Sequence, residues 1–420
     1  MLAYGFSQRA AWAQGQPISQ LMAEALARPD LISLAAGFVD QATLPISPMK
    51  TAINSLMADP TRASSALQYG TTIGHAELRQ SMIDQLELSP DAPRPDSDQV
   101  IITAGSNQFL HLVCESLLDP GDIVLCAAPT YLVFLGTLGN LGARSIGVYA
   151  DDEGIVPDAL TQTLADLERD GELARVKAIY VVPYFDNPRG VSMPLERRVE
   201  VVEIAKRWSH HHTIQVIEDA AYRLLRYEGE DIPSLWTVDD SHDTVIVAGT
   251  FSKSFSPGLR IGWGVLPRHL IAPVSDLKGN IDFGSPNFSQ HVMNEILTQG
   301  LFSDHVEYLR VKYREKLQCM ILAAEREFAK FTSVTWEIPK GGLYVWVKLP
   351  ESCPAGPEGA LQRAAIEQGV IYVPGEYCFP AEGEPVQHNT MRLSFGVPST
   401  EEIDRGMAAL ARAIETVAEV

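Results

Sequence analysis

The sequence is poor in cysteine and in basic residues, and both shortages exclude classes of protein. Its five cysteines are scattered along 420 residues, and no two of them form a CxxC motif. An odd, scattered set of cysteines argues against a disulfide scaffold or a structural zinc site and favours a reducing compartment such as the cytoplasm. Thirty-three basic residues face fifty-three acidic ones, for a formal net charge of −20. Such a surface repels phosphate backbones, so no nucleic-acid partner is expected.

The sequence also lacks a convincing membrane segment. Residues 123–143 carry no charge and are long enough on paper to cross a bilayer, but Pro129 and three glycines interrupt them. A strand, a turn and a helix inside a core explain this stretch better. No signal peptide is expected, because Ser7, Gln8 and Arg9 occupy the place of the apolar region that such a peptide needs. We therefore expect a cytoplasmic protein without a membrane partner.

Hydrophobic residues make up 46% of the chain and charged residues 20%, which is typical of an ordinary globular protein. Short apolar runs alternate with amphipathic helical patterns through the middle of the chain; these runs are 99–103, 123–127, 144–150, 177–182, 213–217 and 245–247. Continuous apolar runs indicate strands that are buried on both faces, hence a largely parallel sheet with helices on both sides. Residues 261–266 are predicted to be a further strand, which could run antiparallel.

The last part of the chain has a different pattern. A long helix is predicted at about 304–330, strands around 341–349 and at 391–395, and a closing helix from Thr400, which together indicate a smaller α+β domain. The predicted organisation is an N-terminal arm over 1–45, a large domain over 46–290 and a small domain over 291–420.

The segment GTFSKSFSPGLRIGW (249–263) follows a predicted buried strand and is the most informative one. Hydroxyl groups flank Lys253, and Arg260 follows seven positions later, a combination that predicts a pocket for a phosphate dianion. A lysine beside such a pocket is a candidate Schiff-base amine, because burial and cationic neighbours lower its pKa. Taken alone, a lysine after a strand is more often a solvated surface residue.

Three further segments place polar residues after strands. Asp219 ends VIED at the edge where α/β proteins bind ligands, although an aspartate there can equally cap a helix. Asn187 in PYFDNPRG is also explained by turn chemistry. Ser106 follows Gly105 at a predicted helix start, where backbone N–H groups can bind an anion.

Together, in this order and spacing, the segments resemble the fold-type I pyridoxal-phosphate enzymes of aminotransferase class I and II, in the branch of the kynurenine and 2-aminoadipate aminotransferases. The resemblance extends from LISLAAGFVDQATLP (31–45) through LQYGTTIGHAELR (67–79) to MRLSFGVPS (391–399). It implies an α/β fold with a large doubly wound, mostly parallel seven-stranded-type sheet domain, as in aspartate aminotransferase, and a smaller α+β domain. It also implies pyridoxal 5′-phosphate as cofactor, no metal, and a homodimer.

The resemblance assigns roles to individual residues. Lys253 would hold the cofactor as its Schiff-base lysine and carry the proton of the reaction. Asp219 would pair with the pyridine nitrogen, and keeping that nitrogen protonated lets the ring accept electrons. Tyr222 and Asn187 would donate to the phenolate oxygen of the ring. The residues that would bind the cofactor phosphate are Ser106, Asn107, Thr250, Ser252 and Arg260.

Four more positions match the family pattern. Tyr131 would stack on the ring face, and Tyr69 would reach the phosphate in the neighbouring subunit. Arg392, together with Asn187, would bind the substrate α-carboxylate. Gly37 would lie in the substrate-facing N-terminal loop.

The expected reaction is transamination between a small-molecule amino acid and a 2-oxo acid. The resemblance implies an aromatic, large aliphatic or 2-aminoadipate-like L-amino acid as donor, and 2-oxoglutarate as acceptor. The sequence departs from the family at Asp186, where many relatives have glutamine or histidine, and at Asn107, where they often have glutamine. Two alternatives stay open: another carbanion reaction on the same scaffold (β- or γ-lyase, cyclase or decarboxylase), and a non-catalytic ligand-binding relative. The intact Lys253 and Asp219 argue against the latter.

The composition of the arm bears on the choice of substrate. Its only positive charges are Arg9 and Arg28, whereas its apolar side chains include Leu2, Tyr4, Phe6, Trp12, Ile18, Leu21, Met22 and Phe38. A distal carboxylate needs an arginine to offset its desolvation, so aromatic or larger aliphatic amino acids are expected to be better donors than aspartate. The alternative is that these side chains only pack the arm onto the large domain.

Overall fold

A computed structural model describes residues 5–13, 15, 28, 30–84, 86 and 94–417 of the chain. Its α-helices are α1 Gln8–Trp12, α2 Ile46–Ala58, α3 Pro60–Leu67, α4 Ala76–Asp84, α5 Ser106–Leu117, α6 Leu132–Asn140, α7 Pro157–Arg169, α8 Leu195–Trp208, α9 Arg268–Asp282, α10 Asn287–Thr298, α11 Leu301–Phe328, α12 Ala360–Glu367 and α13 Thr400–Val417. Within these described residues, no helix combines the length and the apolar composition that crossing a membrane requires.

The strands form a large central sheet and smaller pairings beside it. They are β1 Ile32–Ser33, β2 Val100–Thr103, β3 Ile123–Ala128, β4 Arg144–Asp151, β5 Gly154–Ile155, β6 Val176–Val181, β7 Gln215–Asp219, β8 Val245–Thr250, β9 Gly262–Val265, β10 Thr335–Trp336, β11 Tyr344–Lys348, β12 Val370–Ile371, β13 Val373–Pro374, β14 Glu382–Gly383 and β15 Thr390–Ser394.

The central sheet confirms the predicted α/β class. Its described strands lie in the order β14-β4-β3-β6-β7-β8-β9-β2, with β5 paired to β4. The neighbouring strands β4, β3, β6, β7 and β8 pair in parallel. Strand β9 runs antiparallel to both β8 and β2, as the sequence allowed. The seven-stranded core of the prediction therefore carries two short additions, β5 and β14.

Burial on both faces of this sheet explains why its strands appear as continuous apolar runs. Side chains alternate between the two faces along a strand. In β7, Val216 packs into one hydrophobic cluster and Ile217 into the cluster on the other side. In β8, Val245 and Ile246 are divided in the same way. Both clusters exclude water, so neither face needs polar residues.

A second, antiparallel sheet follows later in the chain. It has the strand order β10-β11-β15-β13, and the long helix α11 and the closing helix α13 pack on each other beside it. Two short pairings link segments that are distant in sequence: β1 pairs with β12, and β14 adds to the edge of the central sheet beside β4. The domain boundaries at 45 and 290 stay predictions; the second one falls inside α10.

Candidate functional site

A cavity of about 240 Å³ opens at the edge of the central sheet where β6, β7 and β8 end. Its lining residues are Phe38, Ser106, Asn107, Tyr131, Val182, Asn187, Asp219, Ala221, Tyr222, Thr250, Ser252, Lys253, Pro257 and Arg260. The cavity thus collects most of the residues that the sequence singled out. Three larger cavities contain none of these residues. One lies between residues 226–232 and 336–340, one between 149–153 and 384–387, and one beside residues 44–54.

Lys253 follows β8 and points its amine into this cavity. Its Nζ donates a hydrogen bond to the carbonyl oxygen of Gly37 at 2.5 Å. Burial lowers the pKa of the amine below its usual value, and the nearby guanidinium groups of Arg392 and Arg260 lower it further. A lowered pKa raises the fraction of the neutral amine, the form that can attack a carbonyl group. Gly37 therefore belongs to the site through its backbone.

Asp219 is the last residue of β7, and its carboxylate is buried. The hydroxyl of Tyr180 donates to its Oδ2 at 2.8 Å, and the backbone N–H of Ala221 donates to its Oδ1 at 3.2 Å. Burial raises the pKa of Asp219 to about 6. A cationic ring nitrogen placed against this carboxylate would offset its desolvation.

Arg260 supplies a positive charge that no carboxylate of the described residues pairs with. Among the described residues, its guanidinium hydrogen bonds go to neutral oxygen atoms: Ala104 O at 3.2 Å, Pro257 O at 3.3 Å and Ser252 Oγ at 3.5 Å. Gly105 makes room for it, since a Cβ atom there would lie 2.4 Å from Arg260 Nη2. An arginine that faces a cavity with its charge uncompensated is suited to bind a phosphate group.

Hydroxyl groups and a helix N-terminus complete this anion site. The Thr250 hydroxyl lies 3.0 Å from Ser252 Oγ, and both residues line the cavity beside Arg260. Helix α5 begins at Ser106, so its first N–H groups are available at the cavity wall. Gly262 allows this approach, because a Cβ atom there would lie 2.2 Å from the nitrogen of Ser106.

Arg392 lies beside the cavity on β15 and is almost completely buried. Its Nη1 donates to Asn187 Oδ1 at 2.9 Å and its Nη2 to Ala35 O at 2.8 Å, whereas its buried Nε has no hydrogen-bond partner in the described part of the chain. A buried cation without a carboxylate partner is costly, and a substrate carboxylate would offset that cost. Because the Oδ1 of Asn187 accepts from Arg392, its amide N–H₂ is the part of the side chain that would donate to a bound ligand.

Two predicted tyrosines occupy different places. Tyr131 precedes α6 and lines the cavity, and burial raises the pKa of its hydroxyl. Tyr69 lies outside the cavity of its own chain: it is 82% exposed, and its ring makes an edge-to-face contact with Phe283 at 5.7 Å. Within one chain, the structure therefore brings Tyr131 to the site and leaves Tyr69 on the surface.

Sequence reasoning missed two site tyrosines, Tyr180 and Tyr344. Tyr180 pairs with Ile217 in the sheet register, so its side chain lies on the same face as that of Asp219. Tyr344 on β11 pairs with Ser394 and therefore lies diagonally beside Arg392. The only signal for either residue was a tyrosine in a buried strand, and the strand register that gives it meaning is not visible in the sequence.

Asp186, the departure noted in the sequence, does not line the cavity. Its Oδ1 accepts a hydrogen bond from the backbone N–H of Val191 at 3.0 Å, and burial raises its pKa to about 7. Its carboxyl group thus holds the loop that carries Asn187.

The cavity fits the pyridoxal phosphate that the resemblance implies. It combines an uncompensated arginine with hydroxyl groups for a phosphate, a buried carboxylate for a ring nitrogen, and an amine of lowered pKa for an aldehyde. These three chemical groups match the three reactive parts of that molecule.

Comparison with known proteins agrees with this geometry. The sequence model of the family described as aminotransferase class I and II matches residues 29–410. Aromatic-amino-acid aminotransferase 1 of Thermococcus litoralis is 33% identical over 98% of this chain and 94% of that protein. The 2-aminoadipate transaminase of Thermus thermophilus is 32% identical over 98% of this chain and 96% of that protein. The crystal structure of Pyrococcus horikoshii kynurenine aminotransferase, in complex with PMP, has a TM-score of 0.89 at 32% identity, covering 99% of this chain and 98% of that one. The chain therefore belongs to the class I and II aminotransferases, pyridoxal-phosphate-dependent enzymes that transaminate amino acids.

Proposed function

We propose that the cavity around Lys253 transaminates an aromatic, large aliphatic or 2-aminoadipate-like L-amino acid, with 2-oxoglutarate as the preferred acceptor. The observation that carries this proposal is the joint placement of Lys253, Asp219 and Arg260 around one cavity with Arg392 beside it. The names of the relatives support the substrate class, since they include aromatic-amino-acid and 2-aminoadipate aminotransferases. We also place the protein in the cytoplasm, which its five unpaired cysteines favour.

Each residue has a distinct task in this proposal. Pyridoxal phosphate, when bound, supplies the electron sink for the pair that remains when the α-proton leaves. Asp219 keeps a proton on the ring nitrogen, and Arg260 with its neighbouring hydroxyls binds the phosphate. Arg392 and Asn187 hold the α-carboxylate of the amino acid. Lys253 Nζ then removes the α-proton of the amino acid and carries it within the cavity.

The test of the proposed function is a half-reaction with a panel of amino acids. Spectroscopic change of the holoenzyme together with release of the matching 2-oxo acid supports transamination. Release of pyruvate and ammonia would instead identify a lyase. An unchanged spectrum with every amino acid would identify a ligand-binding protein.

We expect kcat/KM for phenylalanine and leucine to exceed that for aspartate, measured against one 2-oxo acid, with glutamate tolerated because it is the expected exchange partner. In the described part of the arm, the two arginines are engaged away from the cavity: Arg9 pairs with Glu115 and Arg28 with Asp30, both at 3.0 Å. A distal carboxylate would then lack a cation to offset its desolvation. A clear preference for aspartate or 2-aminoadipate would mean either that Arg9 or Arg28 turns inward or that another arginine binds the side-chain carboxylate.

Phe38 provides the variant for this test, because it lines the cavity and is 55% exposed. Replacing it with alanine should lower kcat/KM for phenylalanine about ten-fold and leave that for aspartate nearly unchanged. Trp12→Ala is the matched control, since the Trp12 ring packs closely on Gly142 and does not line the cavity. The arm residues Leu2, Tyr4, Ile18, Leu21 and Met22 lie outside the described residues.

We propose that the active species is a homodimer in which Tyr69 serves the site of the other subunit. Its large exposure and its absence from the cavity of its own chain support this role. Mixing inactive Lys253→Ala chains with inactive Tyr69→Ala chains should restore about a quarter of the activity, because half of the dimers are hybrids with one intact site. Each variant re-mixed with itself is the control and should stay inactive. Full activity in a demonstrated monomer would contradict the proposal.

A further inference from the structure

Tyr344 contacts both Tyr222, the proposed cofactor-binding tyrosine, and Arg392, the proposed carboxylate-binding arginine, without lining the cavity. Its hydroxyl oxygen lies 3.0 Å from that of Tyr222, and the two rings meet edge to face at 5.7 Å. The guanidinium carbon of Arg392 lies 4.3 Å from the centre of the Tyr344 ring. The side chain is buried, and a Cβ atom on Gly37 would lie 2.7 Å from its hydroxyl, so glycine at that position leaves the hydroxyl its place.

A hydroxyl group that donates its proton to a third group cannot at the same time donate it to the other hydroxyl group. Each phenol carries one proton, which it can donate once. Burial raises the pKa of Tyr222 well above its usual value, so this residue stays protonated and can donate. If the Tyr222 proton points to the phenolic oxygen of the cofactor, then the 3.0 Å contact requires Tyr344 to be the donor to Tyr222.

The position of Arg392 favours this direction. A donor hydroxyl gains negative charge on its oxygen, and a cation over the ring stabilises that charge. Donation by Tyr344 in turn polarises the Tyr222 hydroxyl, because hydrogen bonds in a chain strengthen one another. Through this contact, the positive charge of Arg392, the proposed carboxylate-binding residue, therefore makes the Tyr222 hydroxyl, which is proposed to bind the cofactor, a stronger donor.

We infer that Tyr344 is a positioning residue that donates a hydrogen bond to Tyr222 and so directs the Tyr222 proton to the phenolic oxygen of the cofactor. This inference rests on the proposed function of Tyr222. In the holoenzyme, a donor at the phenolic oxygen would favour negative charge on that oxygen and so lower the pH at which the cofactor absorbance changes. The spectroscopic midpoint of the holoenzyme in a pH titration therefore reports the strength of that donation.

The experiment compares pH titrations of the holoenzyme absorbance for wild type, Tyr344→Phe, Tyr222→Phe and the double variant. Tyr222→Phe should raise the midpoint by about 1 to 2 pH units, the loss of one hydrogen bond to a charged oxygen. Tyr344→Phe should raise it by roughly a third of that or less, since each bond strengthens the next only partly. In the Tyr222→Phe background, replacing Tyr344 should add nothing, because it acts through Tyr222.

The sign of the shift decides the inference. A lowered midpoint in Tyr344→Phe would mean that Tyr344 had accepted the Tyr222 proton and competed with the cofactor, and it would overturn the inference. An unchanged midpoint, or a shift that persists in the double variant, would overturn it as well while leaving the role of Tyr222 intact. If Tyr222→Phe itself moves nothing, the proposed role of Tyr222 fails and the inference fails with it. Tyr372→Phe is the matched control: its buried hydroxyl donates to Ala355 O at 3.2 Å, and its midpoint should equal that of wild type.

Discussion

Replacing Lys253 with alanine is expected to lower turnover by at least ~1,000-fold while leaving a folded protein that still binds the cofactor. The physical reason is that the variant loses both the amine that bonds to the cofactor aldehyde and the base that moves the α-proton. The hydrogen bond from Nζ to Gly37 is also lost, but the arginine and hydroxyl groups that bind the phosphate remain. Steady-state kinetics, cofactor binding and thermal unfolding measure the three parts of this prediction.

Two controls separate chemistry from structure in this experiment. Lys348→Ala removes an exposed lysine at the end of β11 and should leave turnover unchanged. A small primary amine added to Lys253→Ala should restore part of the turnover, because it can enter the space left by the side chain and act as the base. Wild-type turnover in Lys253→Ala would remove Lys253 from the mechanism.

Replacing Asp219 with alanine is expected to lower kcat by roughly three orders of magnitude, with a smaller loss of cofactor affinity. Without the carboxylate, the ring nitrogen cannot stay protonated as negative charge develops on the ring. Cofactor affinity suffers less because the phosphate-binding residues around Arg260 are untouched. If the loss appears in cofactor affinity alone, Asp219 serves only to bind the cofactor.

The alanine variant also removes the acceptor of the Tyr180 hydroxyl, which costs about 1–3 kcal/mol of the free energy of unfolding. Asp219→Asn keeps an acceptor of the same shape without the charge, so its stability should approach that of wild type while its kcat stays low. Such a split between stability and rate would assign the effect to the charge of the carboxylate.

The pKa of Asp219 adds a pH test. Burial raises this pKa to about 6, so the carboxylate takes up a proton as the pH falls through that value. Only the ionised carboxylate attracts a protonated ring nitrogen. Cofactor capture by the apoenzyme should therefore weaken more steeply below about pH 6 in wild type than in Asp219→Asn, in which only the protonation of the cofactor phosphate remains. An identical pH profile in both proteins would contradict the assignment.

The parts of the site that could be predicted share a local signal. Lys253, Asp219 and Asn187 each follow a continuous apolar run, and parallel strands bring their carboxyl ends to one edge of the sheet. The run itself is visible in the sequence because both faces of the sheet are buried. Strand bounds shifted by up to three residues: β7 was predicted over 213–217 and spans Gln215–Asp219, and β8 was predicted over 245–247 and spans Val245–Thr250. Such shifts do not move a residue to another edge of the sheet.

The sequence by itself determined the fold class, the approximate positions of the central strands and the residue types at the candidate site, because these depend on patterns within a few residues. Only the tertiary structure decided which side chains meet. Lys253 contacts Gly37 across 216 positions, and Arg392 contacts Asn187 across 205. The place of Tyr344 beside Tyr222 depends on strand register and on packing between the two sheets, where a shift of one residue would turn its side chain to the opposite face. Contacts of this kind leave no local pattern, because they join segments that become neighbours only when the chain is folded.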